Sequence, residues 1–267
     1  MGAESLIAEL VSLEPQFKAA AQHALELQPT VALKQKSTTG SAGIDALTEA
    51  DLAVQELVLG TLAETPLSTC QLFAEEATPS VDRFADRSPF ALTLDPIDGT
   101  LMYAHGSPYF RFILGFRTVD ELRYTFVYYP AQEISIRITN QGIEQSGRFD
   151  LPALPNHART VVYSAEPRSA SRSTAIRATL RDLGYTLTDT GHVRKGFGSI
   201  TLFLAGVVGG YYNGYPNVHD SFVAAHYAQA RGWPVHYEHP DKGLSLNELH
   251  VASGSLRFPN DYYVLQP

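Results

Sequence analysis

Hydrophobic positions near the start of the chain recur with helical spacing. Over residues 4–28 the apolar side chains fall on one stripe, a pattern that predicts an amphipathic helix. The positions on this stripe are Leu6, Ile7, Leu10, Val11 and Leu13. Residues 30–44 are rich in Thr, Ser and Gly and predict a mobile loop. A second helix is predicted from Thr48 to Leu62, because Thr48 and Asp51 are spaced as in a capping box.

Strand patterns dominate the middle of the chain. Residues 69–74 and 90–95 predict buried strands that each end in acidic residues, and three strands near 110–117, 122–129 and 133–139 predict a meander. Residues 141–158 predict a connection between two lobes. Beyond it, strands and helices alternate as strand 160–164, helix 171–182, strand 185–189, helix 198–206, strand 208–213, helix 218–231 and strand 234–237. This alternation predicts sheets and helices packed in layers.

Composition narrows the class of protein. The 267 residues, 44% of them hydrophobic and 18% charged, suit one large domain or two interlocked lobes. A formal net charge of -8 disfavours nucleic acid as a partner, although an acidic protein can bind phosphate through a divalent cation. The single cysteine, Cys70, excludes an internal disulfide and a CxxC metal site. Without an apolar run long enough to span a membrane, or a signal-peptide pattern, we expect a cytoplasmic protein with no membrane partner.

The stretch 92-LTLDPIDGT-100 carries the candidate chemistry. Asp95 precedes a proline and is therefore expected to be extended, and a turn would aim the carboxylates of Asp95 and Asp98 and the Ile97 carbonyl at one point. Oxygen ligands of this kind suit Mg²⁺. Gly99 and Thr100 would then begin a short helix whose N–H groups suit phosphate. A plain surface turn is the alternative, since Asp, Pro and Gly all favour turns.

Three further acids stand at comparable places in the sequence. Glu75 and Glu76 follow the predicted strand 69–74, and Asp220 begins the predicted helix that continues to Gly232. Taken singly, the Glu pair suggests a solvated surface and Asp220 an N-cap. Only the ordered set favours a metal site.

That ordered set resembles the inositol monophosphatase family of Mg²⁺-dependent, lithium-sensitive phosphatases, whose superfamily includes fructose-1,6-bisphosphatases and bisphosphate nucleotidases. The similarity extends over roughly residues 4–240. The matching segments are Thr48-Glu-Ala-Asp51, Glu75-Glu76, Asp95-Pro-Ile-Asp-Gly-Thr100, and Asp220 followed by Ala224-Ala225. The resemblance implies an α+β fold, a layered αβαβα sandwich, as one phosphatase domain over 1–267. Residues 1–145 would form an N-terminal lobe with the metal site, and 146–267 a C-terminal lobe supplying Asp220.

The resemblance also implies roles for these residues. Glu75, Asp95 and the Ile97 carbonyl would hold one Mg²⁺, and Asp95, Asp98 and Asp220 a second. Glu76 would support the ligands or an outer ion. Two or three ions would bind per site, and Mn²⁺ could substitute for Mg²⁺. Thr100 and Asp51 would orient the attacking water, with Glu75 also in the catalytic set. The N–H groups of Gly99 and Thr100 would hold the phosphate. A homodimer is the usual family assembly.

Several positions depart from the family pattern. DPIDGT continues as Leu101-Met102-Tyr103 where Thr-Asn-Phe or similar is usual, and His219 replaces the usual Trp before Asp220. We interpret His219 as filling an aromatic position in the core, with a ligand or catalytic role left open. Asn213 stands where inositol monophosphatases tend to carry a Glu that binds sugar hydroxyls, which weakens the case for inositol phosphate itself.

Other substrate contacts stay open. Gly198 and Ser199 match a position where backbone lines the sugar pocket. Arg194 and Lys195 could bind a second anionic group or could be a solvated pair. Lys36 could close over the site or could be a solvated loop lysine.

The leading hypothesis is a Mg²⁺-dependent phosphomonoesterase acting on a small phosphorylated polyol or sugar, similar to inositol 1-phosphate. Alternatives are histidinol phosphate, a sugar bisphosphate or a 3′-phosphoadenosine nucleotide as the substrate. A catalytically weak relative with a binding or regulatory role is a further alternative, motivated by the altered positions.

Overall fold

The computed structural model describes residues 2–31, 34–35, 46–151, 157–163, 174–189, 196–214, 216–252 and 255–267. These residues divide into two compact units, Met1–Gly147 and Arg148–Pro267. Both units combine a multistranded sheet with helices, which confirms the predicted mixed α+β class. The predicted mobile loop lies mostly outside the described residues.

The first unit contains a six-stranded sheet and α-helices. Its described α-helices are α1 (Ala3–Ser12), α2 (Glu14–Leu27), α3 (Glu49–Ala63) and α4 (Thr100–Ala104). Its strands are β1 (Lys34–Gln35), β2 (Ala46–Leu47), β3 (Gln71–Ala74), β4 (Ala91–Asp98), β5 (Arg111–Arg117), β6 (Leu122–Tyr129), β7 (Ile134–Thr139) and β8 (Gly142–Ser146). Strands β3 to β8 lie side by side in chain order, with β3 parallel to β4 and each later pair antiparallel. The predicted meander is therefore confirmed, and β8 extends it into the segment predicted to be a connection.

The first predicted helix is interrupted. The sequence predicted one helix over residues 4–28, whereas α1 ends at Ser12 and α2 begins at Glu14, with Leu13 between them. Pro15 explains the break, because proline has no N–H for the helical hydrogen bond and its ring crowds the preceding turn. Leu13 nevertheless stays buried, so the apolar stripe continues across the break.

Helix α3 begins as predicted. Thr48 is its N-cap, and the reciprocal hydrogen bonds of a capping box connect Thr48 with Asp51. The buried residues of α3 include Val54, Val58 and Leu62, which recur at helical spacing. These contacts fix α3 against the core and thereby fix the position of Asp51, which is fully buried.

Aromatic side chains fill the core between the sheet and the first helices. The ring of Phe17 on α2 packs against Phe112 and Phe126, with ring centroids 6.0 Å and 6.3 Å apart. All three residues are fully buried. Burying a side chain of this size contributes about 2–3 kcal/mol, so this cluster anchors α2 to β5 and β6.

The second unit contains a five-stranded sheet with three described α-helices. Those helices are α5 (Thr174–Asp182), α6 (Ser199–Leu204) and α7 (Val223–Ala230). Its strands are β9 (His157–Tyr163), β10 (Thr186–Asp189), β11 (Val208–Asn213), β12 (Val235–Tyr237), β13 (His250–Ala252), β14 (Ser255–Arg257) and β15 (Tyr262–Leu265). The larger sheet has the order β10-β9-β11-β15-β12, and β13 pairs with β14 separately. The predicted alternation of strands and helices is confirmed over the described residues, but β13 to β15 were not predicted.

Two glycines allow close strand contacts in this sheet. A Cβ atom on Gly209 would lie 1.9 Å from the carbonyl oxygen of Ala158, and one on Gly210 would lie 2.6 Å from that of Val264. Neither separation is compatible with a side chain. The Gly-Gly pair thus lets β11 fit between β9 and β15.

Among the described residues, no helix is both long enough and apolar enough to cross a membrane.

Candidate metal and phosphate site

An irregularity in β4 brings two carboxylates together. Asp95 pairs with Ile113 and Asp98 with Arg111, so three steps along β4 match two steps along β5. In a regular strand, residues three apart point to opposite faces. The additional residue is a bulge, and one carboxylate oxygen of Asp95 lies within 4.8 Å of one of Asp98.

The expectation of a turn at the end of a strand is therefore wrong in its geometry. Strand β4 continues to Asp98, and the stretch that contains Pro96 is a bulge within it. Proline cannot donate a hydrogen bond to the ladder and is tolerated in sheets at such bulges. The bulge does what the turn was expected to do, since it directs both carboxylates to one place.

The carboxylate of Asp95 is held from within the bulge. Its Oδ1 accepts a hydrogen bond of 3.0 Å from the backbone N–H of Ile97. Asp95 is 4% exposed, and the Ile97 side chain lies in the core of the unit. The core therefore anchors the bulge, and the bulge fixes the carboxylate.

Arg111 contacts the second carboxylate and was missed by the sequence analysis. Its guanidinium forms an ion pair with Oδ2 of Asp98, and the two side chains are 6% and 13% exposed. The available signal was a charged residue at the start of a strand whose other residues are largely apolar. Every residue of β5 is buried, including Arg111.

Asp51 connects the start of α3 to Thr100. Its Oδ2 accepts hydrogen bonds from the backbone N–H and the hydroxyl of Thr48, at 2.8 Å and 2.5 Å. The Thr100 hydroxyl lies 3.2 Å from Oδ1 of Asp51 and 3.1 Å from the Ile97 carbonyl oxygen, and it donates toward both. Its proton therefore points into the protein, and the hydroxyl oxygen keeps a lone pair to accept a hydrogen bond.

Tyr103 follows Thr100 on α4. Burial, together with the negative charge of Asp51, raises the pKa of the Tyr103 phenol well above its ordinary value. The phenol remains protonated and donates a hydrogen bond of 2.6 Å to the carbonyl oxygen of Ala24. This bond fixes α4, and with it Thr100, against α2.

Gly99 makes the sharp entry into α4 possible. Its φ is 94°, in the left-handed region that favours glycine. A Cβ atom there would also lie 2.9 Å from Cε of Met102. The predicted short helix at Thr100 is confirmed.

The Glu pair follows β3, beside β4. The N–H of Glu75 donates to the carbonyl oxygen of Leu94 at 3.0 Å, which continues the parallel ladder and places Glu75 next to Asp95 in register. Glu76 is buried, and Gln55 on α3 fixes its backbone by accepting from its N–H at 3.1 Å and donating to its carbonyl at 2.6 Å. Gln55 was not predicted, although it lies one helical turn after Asp51 on the same buried face.

Asp220 lies in the second unit, in a tight loop before α7. The predicted helix 218–231 begins only at Val223, so Asp220 precedes it. The side-chain oxygen of Asn217 accepts from the N–H groups of His219 and Asp220, at 2.9 Å and 3.0 Å. The hydroxyl of Ser221 donates to Oδ1 of Asp220 at 2.7 Å. Asp220 is thus positioned by its own loop, and His219 is buried, as expected for a core position.

Asn213 is engaged by this loop and by β11. Its amide nitrogen donates to the Tyr211 hydroxyl at 3.1 Å and to the carbonyl of Ser221 at 3.4 Å. The Tyr262 phenol also donates to that carbonyl. Burial raises the pKa of Tyr262 well above its ordinary value, with further contributions from Tyr211, Tyr237 and Asp220. Both amide protons of Asn213 therefore have partners among the described residues.

The other predicted substrate contacts lie at the start of α6 or outside the described residues. Gly198 is the N-cap of α6 and Ser199 its first residue, which is buried. Lys36, Arg194 and Lys195 lie outside the described residues.

The donors of the first unit fit a hard divalent cation. Asp95 and Asp98 offer carboxylate oxygens close to one another, and a carbonyl oxygen such as that of Ile97 has a second lone pair beside the one that faces Thr100. Oxygen donors of this kind are the ligands that Mg²⁺ takes in proteins.

Comparisons with known proteins find similar sequences and similar structures. Human inositol monophosphatase 2 is 28% identical over 121 residues, a match that covers 44% of this chain and 42% of that protein. The chain therefore matches less than half the length of that relative. The structure of an IMPase/NADP phosphatase complexed with Mg²⁺ and phosphate is similar with a TM-score of 0.64 and 15% identity, over 98% of this chain and 90% of that one. A staphylococcal inositol monophosphatase-1 structure, a LiCl-soaked inhibitory complex, gives a TM-score of 0.65 and 15% identity, over 99% and 91%.

At these identities the structural similarity shows the fold, which is the predicted α+β fold of inositol monophosphatases. Sequence adds the family, since residues 8–225 match the inositol monophosphatase family, well over half of the chain. Therefore the chain belongs to the inositol monophosphatase family.

Proposed function

We propose that this protein is a Mg²⁺-dependent phosphomonoesterase that hydrolyses a small phosphorylated polyol or sugar. The observation that carries the proposal is the β4 bulge, which brings the carboxylates of Asp95 and Asp98 within 4.8 Å in a chain of this family. Thr100, which donates a hydrogen bond to Asp51, follows Gly99 at the end of that strand.

We assign the ions as the family resemblance implies. Glu75, Asp95 and the Ile97 carbonyl would hold one Mg²⁺, and Asp95, Asp98 and Asp220 would hold another. Glu76 would support an outer position, so two or three ions would bind, and Mn²⁺ could replace Mg²⁺. Support for the first set comes from the register of β3 beside β4, which places Glu75 next to Asp95.

Thr100 and Asp51 would handle the attacking water. The Thr100 hydroxyl donates its proton inward, so its oxygen can accept a hydrogen bond from a water and orient that water. Asp51 is buried and would receive the proton that passes through Thr100. When bound, Mg²⁺ supplies charge neutralisation of the phosphate and acidification of water. The backbone N–H groups of Gly99 and Thr100 would bind the phosphate.

The substrate's alcohol would be recognised by the second unit. The amide protons of Asn213 bind Tyr211 and Ser221, so Asn213 would accept from a substrate hydroxyl through its Oδ1. Gly198 and Ser199 would line the same pocket. Arg194 and Lys195 are retained as contacts to a second anionic group, and Lys36 as a residue that closes over the site.

A nucleotide substrate is the second candidate. The structurally similar IMPase/NADP phosphatase is named for two activities, so this fold accepts a nucleotide phosphate in that protein. Histidinol phosphate and sugar bisphosphates are further candidate substrates for the same assay. A catalytically weak binding relative remains the alternative of a different class, motivated by Leu101, Met102, Asn213 and His219.

A panel of these phosphates, assayed with Mg²⁺ and with or without Li⁺, tests the proposal. We expect hydrolysis that requires the divalent ion and is inhibited by Li⁺, as the LiCl complex of the staphylococcal relative suggests. Absence of hydrolysis on every substrate would favour the binding alternative.

The variant Asp95→Asn tests the metal assignment. It keeps an oxygen for the Ile97 N–H but loses the charge, so activity should fall while the fold remains. Asp120→Asn, at an exposed carboxylate before β6, is the matched control and should stay active. Full activity of Asp95→Asn would refute the assignment. A homodimer in the cytoplasm completes the proposal and is testable by light scattering and cell fractionation.

A further inference from the structure

Arg111 is a buried cation placed against one of the proposed metal ligands. It is the first residue of β5, it pairs in register with Asp98, and its guanidinium forms an ion pair with Oδ2 of that residue. The two side chains are 6% and 13% exposed, so solvent screens this pair only weakly. Arginine is always charged and has five donors and no acceptor. A permanent positive charge therefore lies beside Asp98, a carboxylate that the proposed function assigns to a divalent ion.

The backbone keeps Arg111 at this place. Its neighbours Phe110 and Phe112 are fully buried, and β5 is hydrogen-bonded on both sides by β4 and β6. Separating such a buried guanidinium from its anion costs free energy, because removing one partner leaves an uncompensated buried charge. Arg111 is thus a fixed part of the site rather than a surface residue that swings away.

We infer that Arg111 is a built-in cation of the metal site and that it weakens the binding of a divalent ion at Asp98. The inference rests on the proposed function, because it concerns the ions assigned to Asp95 and Asp98. Two effects act together: the guanidinium takes one carboxylate oxygen of Asp98, and its charge repels a cation bound to the other oxygen. The two aspartates carry a charge of about −2 that Arg111 offsets in part.

The effect of Arg111 falls mainly on the ion assigned to Asp98. The ion assigned to Glu75 and Asp95 keeps its ligands, whereas the ion assigned to Asp98 shares that carboxylate with the guanidinium. Removing the guanidinium charge should therefore change the affinity of one ion more than that of the other.

Binding of Mn²⁺ to the substrate-free protein, measured by isothermal titration and by the EPR signal of free Mn²⁺, tests this inference. Arg111→Gln removes the charge but can still donate a hydrogen bond to Asp98. We expect it to bind one class of Mn²⁺ about tenfold more tightly than the wild type, the order expected from repulsion between nearby charges. Arg111→Lys keeps the charge and should bind as the wild type does.

Arg117→Gln is the matched control. Arg117 is the last residue of the same strand and is equally buried, but its guanidinium donates to the carbonyl oxygens of Thr118 and Val119. Its replacement removes a buried charge without touching Asp98, so Mn²⁺ affinity should not change. An equal gain in Arg117→Gln would overturn the inference, because the effect would then come from net charge.

Asp98→Asn provides a test that does not depend on the folding of Arg111 variants. In otherwise wild-type protein it should abolish the weaker class of Mn²⁺ binding and also weaken the tighter class, because Asp98 no longer offsets the charge of Arg111. Persistence of the weaker class in Asp98→Asn, or equal affinity of Arg111→Gln and wild type, overturns the role of Arg111 while the proposed function stands. If wild type and variants bind no Mn²⁺ with or without phosphate, the metal-dependent function itself fails, and the inference fails with it.

Discussion

One carboxylate, that of Asp51, is shared between a helix cap and Thr100. Its Oδ2 accepts from the backbone N–H and hydroxyl of Thr48, and its Oδ1 accepts from the Thr100 hydroxyl at 3.2 Å. The start of α3 and the first residue of α4 are thereby joined through a single buried side chain. Stability and the proposed catalysis are therefore coupled at Asp51.

Asp51→Asn should lower both the stability of the protein and its catalytic rate. An amide has only one acceptor oxygen, so it cannot accept from Thr48 and from Thr100 at once. We expect kcat to fall about a hundredfold or more, the size typical of a lost general base, and the free energy of unfolding to fall by about 1 kcal/mol. Thr48→Ala removes the cap alone and should lower stability by a similar amount while keeping kcat. If both variants lost activity equally, the cap would explain the whole effect.

Gly99→Ala should strain the entry into α4. Alanine at a φ of 94° costs about 1–3 kcal/mol, and its Cβ would also press on Met102 at 2.9 Å. Urea unfolding and kcat should both report the change, because Thr100 is the next residue. The double variant with Met102→Ala removes the contact but not the backbone strain, so only partial recovery is expected. Complete recovery would show that the side-chain contact was the cause.

Two other glycines should respond in opposite directions. Gly60 lies inside α3 with no neighbouring atom within 4 Å of an added Cβ, so Gly60→Ala should stabilise the protein by about 0.5–1 kcal/mol. Gly209→Ala would place its Cβ 1.9 Å from the Ala158 carbonyl oxygen, and it should destabilise by about 3 kcal/mol or more. Thermal unfolding measures both. A neutral Gly209→Ala would mean that β11 and β9 can separate without cost.

Acid should weaken the contact between α3 and the segment after β3. Burial tends to raise the pKa of the Glu56 carboxyl, but hydrogen bonds from Thr78 and Ser80 and the charge of Arg83 outweigh it, so the pKa lies below its ordinary value of 4.5. A lowered folded-state pKa contributes stability that is present above the unfolded value and lost as pH falls through the folded value.

Unfolding free energies of wild type and Glu56→Gln, measured from about pH 7 down to about pH 3, test this contribution. The two proteins should differ most at neutral pH and converge in acid, because protonated Glu56 can no longer accept from both donors of Ser80. A constant difference across the range would exclude titration of Glu56 as the cause.

Structural features that depend on residues close together in the sequence were predicted best. The capping box of Thr48 and Asp51 depends on residues three apart, and the short helix at Thr100 follows from the adjacent glycine, so both could be predicted from the sequence. The break at Leu13 was missed even though Pro15 signalled it, because the apolar stripe continues across it.

Long-range register was not predictable. The bulge at Pro96 exists only relative to β5, and the ion pair of Arg111 with Asp98 depends on the same register. A sequence pattern shows that a residue is apolar or charged, but it does not show which residue of another strand lies opposite. For the same reason, the engagement of the Asn213 amide by Ser221 and Tyr211 was not foreseen.

The place of β15 in its sheet has a consequence for the order of folding. This strand lies between β11 and β12, and its first residue, Tyr262, holds the carbonyl of Ser221 beside Asp220. On the ribosome, β11 emerges well before β15, its neighbour on that side. The edge of β11 must therefore wait unpaired, and the loop carrying Asp220 cannot reach its final form until residues 262–265 have been synthesised.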